Sequence, residues 1–529
     1  MINRLLIIVV IFVTIYPVNA QVAYNRYLPK HVSAVANDTI SFKGVIKLSN
    51  PILKHKDKIN FGKAYNVSYN LKNSGQWDIS TTGDRVWRLK IETNKASSIS
   101  FMFDKFKLPL GGEVYLYGDE KKEIVGPYDA TTNPKNEKLG SWLINSPIVW
   151  VLYVEPKAKK NSGVLNISQI ILGYSNQTKS KKIRAKKIKK NLCDKNALCH
   201  VNNNSINDLK NRLIHSIVLI NIGTSFCSGV LINNTNKDGK SYLLTANHCL
   251  DSDPVFWSFR FNFFDNFEAC EDLSIPSFSA LQSTSGAKIV AQNAISDFAL
   301  LEIEGKLDPE WTLSWAGWSR QQQSPKYSFC LHYPEGNTMK VAVEDDALEQ
   351  RIIDFFDTPT KVWAVSETNN GWEIGVTKTG SSGSPLFNEK GQIIGQLAGG
   401  KTLCNNGVNN NLDDWFGRFD VSWDIDNNPS KSLKKWLDPK GKNLKEVGML
   451  MSKNDQSELK IFPNPTKAIL NLDSFINNYL IFDVTGKRVL INNKTFLSKI
   501  DVSNLSRGNY FLKVISVNGE VFVKQFVKN

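Results

Sequence analysis

The chain has 529 residues, of which 41% are hydrophobic and 22% are charged, and its formal net charge is +15. This composition is that of a globular protein and excludes an intrinsically disordered one, and the length suits about three or four domains of roughly 100–200 residues. The net charge suggests a nucleic-acid partner, but much of the surplus lies in one run of lysine and arginine at residues 179–190. Such runs are more often solvated linkers than binding sites, so we expect no nucleic-acid partner.

The first twenty residues have the pattern of an export signal. Arg4 supplies a positive start, residues 5–16 form an apolar stretch, and residues 18–20 end in a small residue before Gln21. The apolar stretch is shorter than the roughly 20 residues that a membrane-spanning helix needs. We therefore expect residues 1–20 to be a signal peptide and the mature protein to be soluble outside the cytoplasmic membrane, where disulfides persist.

Residues 21–190 are predicted to form a β-rich domain that ends in the basic run. Up to about residue 178, short runs alternate between apolar and polar residues and are rich in β-branched and aromatic types, which is typical of strands. The clearest of these runs are residues 86–92, 113–117 and 149–155. We expect a β-sandwich-like architecture, with the basic run as an exposed linker behind it.

All seven cysteines fall between Cys193 and Cys404, so a disulfide-bearing module lies between two cysteine-free ones. We predict that this central module spans residues 191–450 and consists mainly of strands.

Two further features follow along the chain. A helix is expected over residues 431–437, with Ser430 as its cap and Pro439 as its stop. A polar linker at residues 451–458 then leads into residues 459–529, whose alternating runs predict a small β-sandwich.

Three short stretches of the central module contain a histidine, an aspartate and serines, in that order. Residues 245–249 contain His248, residues 296–301 contain Asp297, and residues 380–385 contain three serines. A serine hydroxyl is a poor nucleophile near neutral pH, so it needs an imidazole to take its proton and a carboxylate to orient that imidazole. The order His, Asp, Ser is the one that chymotrypsin-type proteases use. Each residue alone has a structural explanation, but the set predicts serine peptidase catalysis.

The nucleophile has to be chosen among the three serines of residues 380–385. The chymotrypsin-type pattern is Gly-x-Ser-Gly-x-Pro, which assigns the nucleophile to Ser382. The backbone N–H groups of Gly380 and Ser382 would then converge as an oxyanion hole. A surface turn rich in serine and glycine is the alternative interpretation of this motif by itself.

With these motifs in place, residues 191 to about 440 resemble the lysyl endopeptidases, which are bacterial trypsin-like proteases. The resemblance implies a chymotrypsin-like double β-barrel. It is carried by residues 245–249, 296–301, 380–385 and 395–400, and by the closely spaced Cys193 and Cys199.

The resemblance also implies a disulfide pattern. Cys330 would remain unpaired, as an odd number of cysteines requires. The implied bridges are Cys193–Cys404, Cys199–Cys270 and Cys227–Cys249.

Substrate specificity depends on the charge in the S1 pocket. Trypsin has an aspartate six residues before the nucleophile, where this chain has Val376. Lysyl endopeptidases have one after the nucleophile, three residues before a Gly-Arg pair. Asp414 matches that position, since the pair here is Gly417–Arg418. Asp413 is an adjacent rival, and two solvated loop carboxylates are the structural alternative.

The flanking modules have resemblances of their own. Residues 21 to about 187 resemble the pro-region of these proteases, which implies that the basic run is a processing site. The C-terminal module resembles the sorting domain of type IX secretion, on residues 462–465, 483–490 and 508–510. It implies the type IX secretion machinery as a partner, and a location that is secreted or at the outer-membrane surface.

The predicted function is therefore a secreted serine endopeptidase that cleaves after lysine, acts on proteins and peptides, and is monomeric when mature. We expect no metal and no cofactor. The family's well-known member has a histidine where this chain has Ala398, so the preference for lysine over arginine stays open. Two alternatives also stay open: a glutamyl-endopeptidase-like specificity, and a non-catalytic surface adhesin built on a protease fold.

Overall fold

The computed structural model describes residues 28–30, 35–36, 42–49, 60–121, 123–174, 193–264, 281–405, 408–452, 459–492, 497–516 and 521–529. The predicted signal peptide, the basic run and most of the predicted polar linker lie outside the described residues. None of the helices in the described ranges has the length and apolar character that a membrane crossing requires.

The N-terminal module is a sandwich of two sheets. One sheet has the strand order β1-β4-β9-β6-β7 with β3 beside β4, and the other has the order β2-β10-β5-β8. Alternate residues of β4, Trp87, Leu89 and Ile91, are buried in the core between the sheets, as its period-2 pattern predicts. The strands are β1 (Val45–Leu48), β2 (Gly62–Asn70), β3 (Gln76–Ile79), β4 (Arg85–Thr93), β5 (Ile99–Lys107), β6 (Glu113–Gly118), β7 (Ile124–Tyr128), β8 (Leu139–Gly140), β9 (Ile148–Glu155) and β10 (Val164–Gly173).

The central module begins with a first barrel. Its strand order is β15-β14-β11-β12-β13-β17-β16. Only Gly286 separates the two edge strands along the chain, so the sheet curls until its edges meet. The strands are β11 (Ile217–Asn221), β12 (Phe226–Leu231), β13 (Tyr242–Ala246), β14 (Ser258–Phe261), β15 (Gln282–Ser285), β16 (Ala287–Asn293) and β17 (Phe298–Ile303).

A second barrel follows, with the order β21-β20-β24-β25-β28-β23-β22 and with β19 and β29 attached beside β25. Its edge strands are again consecutive in the chain. The two barrels confirm the predicted chymotrypsin-like fold. The strands of this half are β18 (Ser314–Trp315), β19 (Trp318–Ser319), β20 (Ser328–His332), β21 (Lys340–Glu344), β22 (Glu349–Phe355), β23 (Thr358–Val365), β24 (Pro385–Phe387), β25 (Ile393–Gly400), β26 (Cys404–Asn405), β27 (Val408–Asn409), β28 (Asp414–Arg418), β29 (Glu446–Val447) and β30 (Leu450–Met451).

The helices differ from the sequence prediction. Helix α1 (Asn204–Leu213) was not predicted, although the Asn203 side chain caps it by accepting from the Ile206 N–H at 3.2 Å. The predicted helix over 431–437 is shorter, α3 (Lys434–Leu437), and Ser430 does not cap it because its hydroxyl donates to Asn428 Oδ1. Further helical elements are α2 (Phe419–Trp423) and the 3₁₀ turns Ala130–Thr132, Lys157–Lys159, Ile214–Ser216, Asn247–Cys249, Pro254–Phe256, Ala294–Ser296, Pro334–Gly336 and Glu367–Asn369.

The C-terminal module is a small all-β unit with its own buried core. The long strand β32 pairs with four other strands, and β32 and β33 form a hairpin that turns around Gly486. The strands are β31 (Ile461–Phe462), β32 (Ile469–Asp483), β33 (Arg488–Asn492), β34 (Leu497–Asp501), β35 (Gly508–Ser516) and β36 (Val521–Lys528). Its buried residues include Leu470, Ile481, Leu512 and Phe526.

The N-terminal module packs against the first barrel. The Phe61 ring stacks on Phe226 with centroids 4.4 Å apart, and the Phe61 N–H donates to the Thr224 carbonyl at 2.8 Å. Elsewhere in this interface, the hydroxyl of Ser285 on β15 donates to the carbonyl of Gly140 on β8 at 2.6 Å. This contact surface lies on the barrel that carries His248 and Asp297.

Candidate active site

His248 and Asp297 are held together by two short turns. Strand β13 ends in the 3₁₀ turn Asn247–Cys249, and Asp297 ends the turn Ala294–Ser296 in a left-handed conformation with φ of 49°. The Asp297 carboxylate accepts from the His248 N–H at 2.9 Å and lies 2.7 Å from His248 Nδ1. With the Nδ1 proton fixed by this contact, Nε2 is left as the proton acceptor.

The Asp297 carboxylate is almost completely buried, with 2% of the residue exposed. Burial raises the pKa of Asp297, and the hydrogen bonds from His248 oppose that shift. Gln396 on β25 reaches across from the second barrel and donates to the carbonyls of Ser296 and Asp297, at 2.7 and 3.2 Å. His248 and Asp297 therefore lie where the two barrels meet.

The turn that contains Ser382 packs against the strand that leads to His248. A Cβ atom at Gly383, whose φ is 82°, would lie 2.2 Å from Thr245 Oγ1, so only glycine fits there. The Ser228 N–H donates to the Ser382 carbonyl at 2.8 Å, and that carbonyl lies 4.0 Å from the sulfur of Cys249. The structure thus brings Ser382 beside Cys249, the residue that follows His248.

The two flanking serines face the interior. The Ser381 hydroxyl lies 2.7 Å from His332 Nδ1, and both residues are buried, so this second Ser–His pair has no access to a substrate. Burial lowers the pKa of His332 to about 3. The Ser384 hydroxyl donates to the Ser381 carbonyl at 2.6 Å. Ser382, by contrast, is partly exposed.

The backbone donors of the predicted oxyanion hole have no acceptor in the described part of the protein. Within the described residues, the N–H groups of Gly380 and Ser382 donate to no backbone or side-chain oxygen, whereas the Ser381 N–H donates to the Lys378 carbonyl. Gly380 has a φ of 89°, and an added Cβ would lie 2.9 Å from the Glu335 nitrogen. The turn therefore presents two unused donors on either side of Ser381.

A cavity of about 490 Å³ joins Ser382 to Asp414. Asp414 is fully buried, and its carboxylate accepts from Trp372 Nε1 at 2.7 Å, Thr377 Oγ1 at 2.7 Å and Thr402 Oγ1 at 2.8 Å. All three donors are neutral, and no ion pair to Asp414 occurs among the described residues. Burial raises the pKa of Asp414 to about 6, although these hydrogen bonds oppose the shift.

The neighbouring carboxylate, Asp413, has a different environment. Its Oδ2 forms an ion pair with Arg351 at 2.8 Å, and its Oδ1 accepts from the Glu367 N–H at 2.8 Å. Because its charge is already compensated, Asp413 is a poor candidate for a substrate cation. The contacts favour Asp414 over this rival.

Two aromatic residues at the site were missed by the sequence analysis. The rings of Phe355 and Phe356 lie 5.5 and 6.0 Å from the His248 ring, at the apex of the β22–β23 hairpin. Phe356 is 74% exposed and has a positive φ of 49°, which is rare for a bulky residue. The sequence offered one signal for these residues, because Phe355 and Phe356 are adjacent and lie between two alternating runs. Ala398 and Val376, both buried, bring no charge to the cavity.

The disulfides connect the site to its surroundings. The structure contains Cys193–Cys404 and Cys227–Cys249, as the resemblance implied. Cys199 is also disulfide-bonded, but its predicted partner Cys270 lies outside the described residues. Cys330 is buried and free.

The start of the central module is tied to the candidate site by one more contact. Asp194, next to Cys193, forms an ion pair with Lys378 at 2.5 Å, and Lys378 lines the cavity of Ser382.

Comparisons with known proteins agree with this architecture. Residues 189–417 match the family described as lysyl endopeptidase, C-terminal domain, and residues 460–529 match the secretion system C-terminal sorting domain. A lysyl endopeptidase of Pseudomonas aeruginosa is 28% identical over 188 residues, which are 34% of this chain and 38% of that protein. The chain therefore spans about two fifths of that relative's length.

Similar solved structures include the inactive form of the Rv3671c protease, which is 15% identical, covers 43% of this chain and 91% of its own, and has a TM-score of 0.27. The MamO protease domain of Magnetospirillum magneticum is 13% identical, covers 40% and 95% of the two chains, and has a TM-score of 0.26. The sorting domain indicates a secreted or outer-membrane-surface location. The chain thus combines a central region that matches the lysyl endopeptidase family with a C-terminal secretion sorting domain.

Proposed function

We propose that the protein is a secreted serine endopeptidase that hydrolyses peptide bonds after lysine. The observation that carries the proposal is Asp414, a fully buried carboxylate that has no ion-pair partner among the described residues and lies in the cavity that Ser382 lines. A buried charge is costly unless it is paired, so the cavity suits a ligand that brings a positive charge. A lysine side chain supplies a compact ammonium on an apolar stem.

The proposed reaction uses Ser382, His248 and Asp297. The Ser382 oxygen attacks the carbonyl carbon while its proton passes to His248 Nε2, and the carboxylate stabilises the imidazolium. His248 then gives the proton to the leaving amine, and an acyl-enzyme remains. Water, deprotonated by His248, attacks the acyl carbon. The bond from that carbon to Ser382 Oγ then breaks, the product acid leaves, and His248 returns the proton to the serine oxygen. The N–H groups of Gly380 and Ser382 would stabilise the oxyanion by roughly 3–4 kcal/mol per donor.

The test is a cleavage profile on a mixed protein substrate, combined with serine variants. Ser382→Ala should remove nearly all peptidase activity, whereas the matched controls Ser381→Ala and Ser384→Ala should keep much of it. Wild-type turnover in Ser382→Ala would overturn the assignment of the nucleophile.

The same experiment separates the alternatives. Cleavage after glutamate would support a glutamyl endopeptidase, although an acidic side chain would meet the negative charge of Asp414. Failure of a serine-directed phosphonate to label the purified protein would support a non-catalytic adhesin.

We also propose that residues 21–190 are a pro-region and that both flanking modules are removed, which leaves residues 191–450 as the active core. Neither flank contributes a residue to the candidate triad. The basic run is rich in lysine, so an enzyme with the proposed specificity could cut there itself. Secreted, active enzyme that retains residues 21–180 would overturn the pro-region assignment.

A further inference from the structure

Four carboxylates, none of which belongs to the candidate triad, converge at one edge of the second barrel. Glu344, Asp345 and Asp346 lie at the end of β21, and Glu373 lies on the segment that runs past it. Each offers an oxygen, and these oxygens all lie within 4.8 Å of one another. A backbone hydrogen bond holds the two segments together, because the Glu373 N–H donates to the Val343 carbonyl at 3.0 Å.

Glu344 distinguishes this cluster from an ordinary acidic surface patch. The residue is 1% exposed, and its Oε2 is buried without a hydrogen-bond partner among the described residues. Its other oxygen accepts from the Asp346 N–H at 2.9 Å. In the described part of the chain, no lysine or arginine forms an ion pair with any of the four carboxylates. A buried polar atom without a partner calls for a specific explanation, such as an ion.

We propose that this cluster binds Ca²⁺. Calcium takes six to eight oxygen ligands at roughly 2.3–2.6 Å, so oxygens that share one ion are at most about 4.6–5.2 Å apart. These carboxylate oxygens all lie within 4.8 Å of one another, so they can share one calcium ion. Magnesium demands near-ideal octahedral geometry and usually keeps several waters beside one or two carboxylates, so a group of four carboxylates suits calcium better. Three of the four residues are exposed, so water can complete the coordination.

The site would stabilise the wall of the cavity that contains Asp414. Glu373 follows Trp372, whose indole donates to the Asp414 carboxylate. The Val343 N–H donates to the Ile374 carbonyl at 2.8 Å, so the cluster joins β21 to this same segment. A bound cation would neutralise the repulsion between the carboxylates and hold the two segments together.

The test uses the full-length chain with Ser382→Ala, which prevents self-digestion. Thermal unfolding is followed with 10 mM CaCl₂, with 10 mM MgCl₂ and with a chelator. Extracellular calcium sites have dissociation constants of about 10⁻⁴–10⁻³ M, so calcium should raise the midpoint temperature by about 3–10 °C over the chelator. Tb³⁺, a luminescent substitute for Ca²⁺, should be sensitised by Trp372 and displaced by calcium.

The variants separate this site from non-specific binding. Two variants should abolish the calcium-dependent rise in midpoint temperature and the Tb³⁺ signal: Glu373→Gln, and the double variant Asp345→Asn with Asp346→Asn. Because these residues are exposed, the fold should persist. Glu367→Gln is the matched control, since Glu367 is exposed nearby and outside the cluster.

The proposal would be overturned if calcium did not raise the midpoint temperature of unfolding, or if magnesium raised it equally. It would also be overturned if the calcium effect persisted unchanged in the cluster variants. No readout requires peptidase activity, so its failure is distinguishable from failure of the proposed function.

Discussion

Replacing Asp414 by asparagine tests the proposed specificity with little change of shape. Trp372 and Thr377 both donate to one carboxylate oxygen, so the amide oxygen of asparagine can keep both hydrogen bonds. The amide nitrogen would face Thr402, whose hydroxyl can accept from it while donating to the Thr377 carbonyl, 3.3 Å away. The variant should therefore fold, and the charge is the main property lost.

The expected loss of activity is large because the Asp414 carboxylate is fully buried. Breaking a buried charge pair costs roughly 3–5 kcal/mol, and each 1.36 kcal/mol is a factor of ten. Asp414→Asn should therefore lower kcat/KM for lysine substrates by about 10²–10⁴-fold, with little effect on leucine substrates. The assay compares matched peptides with lysine, arginine, leucine or glutamate before the scissile bond.

Asp413→Asn is the matched control for this experiment. It removes a neighbouring carboxylate that already pairs with Arg351, so the preference for lysine over leucine should stay unchanged. Equal cleavage of lysine and leucine substrates by the parent enzyme would refute the reasoning, as would a loss of selectivity in Asp413→Asn alone.

The same replacement has a second, independent readout in stability. Burial raises the pKa of Asp414 to about 6 from an ordinary value of 3.8. The folded protein then holds this proton more tightly than the unfolded chain, so the associated stability is present below about pH 4 and is lost as the pH rises through 6. In a Ser382→Ala background, Asp414→Asn should raise the free energy of unfolding at pH 8 by up to about 3 kcal/mol, and by much less at pH 4. Denaturant titrations at both pH values measure the difference, and a destabilised variant at pH 8 would contradict it.

Two further predictions concern the covalent structure. Replacing both Cys227 and Cys249 by serine opens a loop with a sequence separation of 22 and should cost roughly 3 kcal/mol of unfolding free energy in the chain-entropy model; an unchanged denaturation midpoint would argue against it. Ser382→Ala, produced without other proteases, should accumulate as a longer precursor uncut in residues 179–190, because the enzyme cannot process itself; intact mass and N-terminal sequencing check this, and normal maturation would rule out self-cleavage.

The candidate triad is a prediction from local sequence motifs. His248, Asp297 and Ser382 each lie in a short motif whose neighbours fix the backbone, as the left-handed glycines around Ser382 illustrate. The strands could also be predicted from the local sequence, because the period-2 alternation of segments such as β4 reflects the two faces of a sheet. The confinement of cysteines to residues 193–404 was the reason to predict a central module between two flanks.

Helix α1 escaped prediction even though its signals are local. Asn203 is a good cap, and Ile206 and Leu213 lie on one buried face. The surrounding residues are mostly polar, so the apolar pattern alone did not stand out. The predicted start of α3 failed for a different reason, since Ser430 bonds to Asn428 within its own turn instead of capping the helix.

The sequence by itself determined which residues have the chemistry, and the tertiary structure decided which of them are available. Asp413 and Asp414 are identical side chains at adjacent positions. Arg351, which is distant in sequence, compensates the charge of Asp413, whereas Asp414 is buried and has no ion-pair partner in the described part of the chain. The contact of Phe355 with His248, and that of Glu373 with residues 344–346, also join segments far apart in the chain. Such pairings depend on how the strands close into barrels. Burial and charge compensation are therefore properties of the folded chain, and no local pattern encodes them.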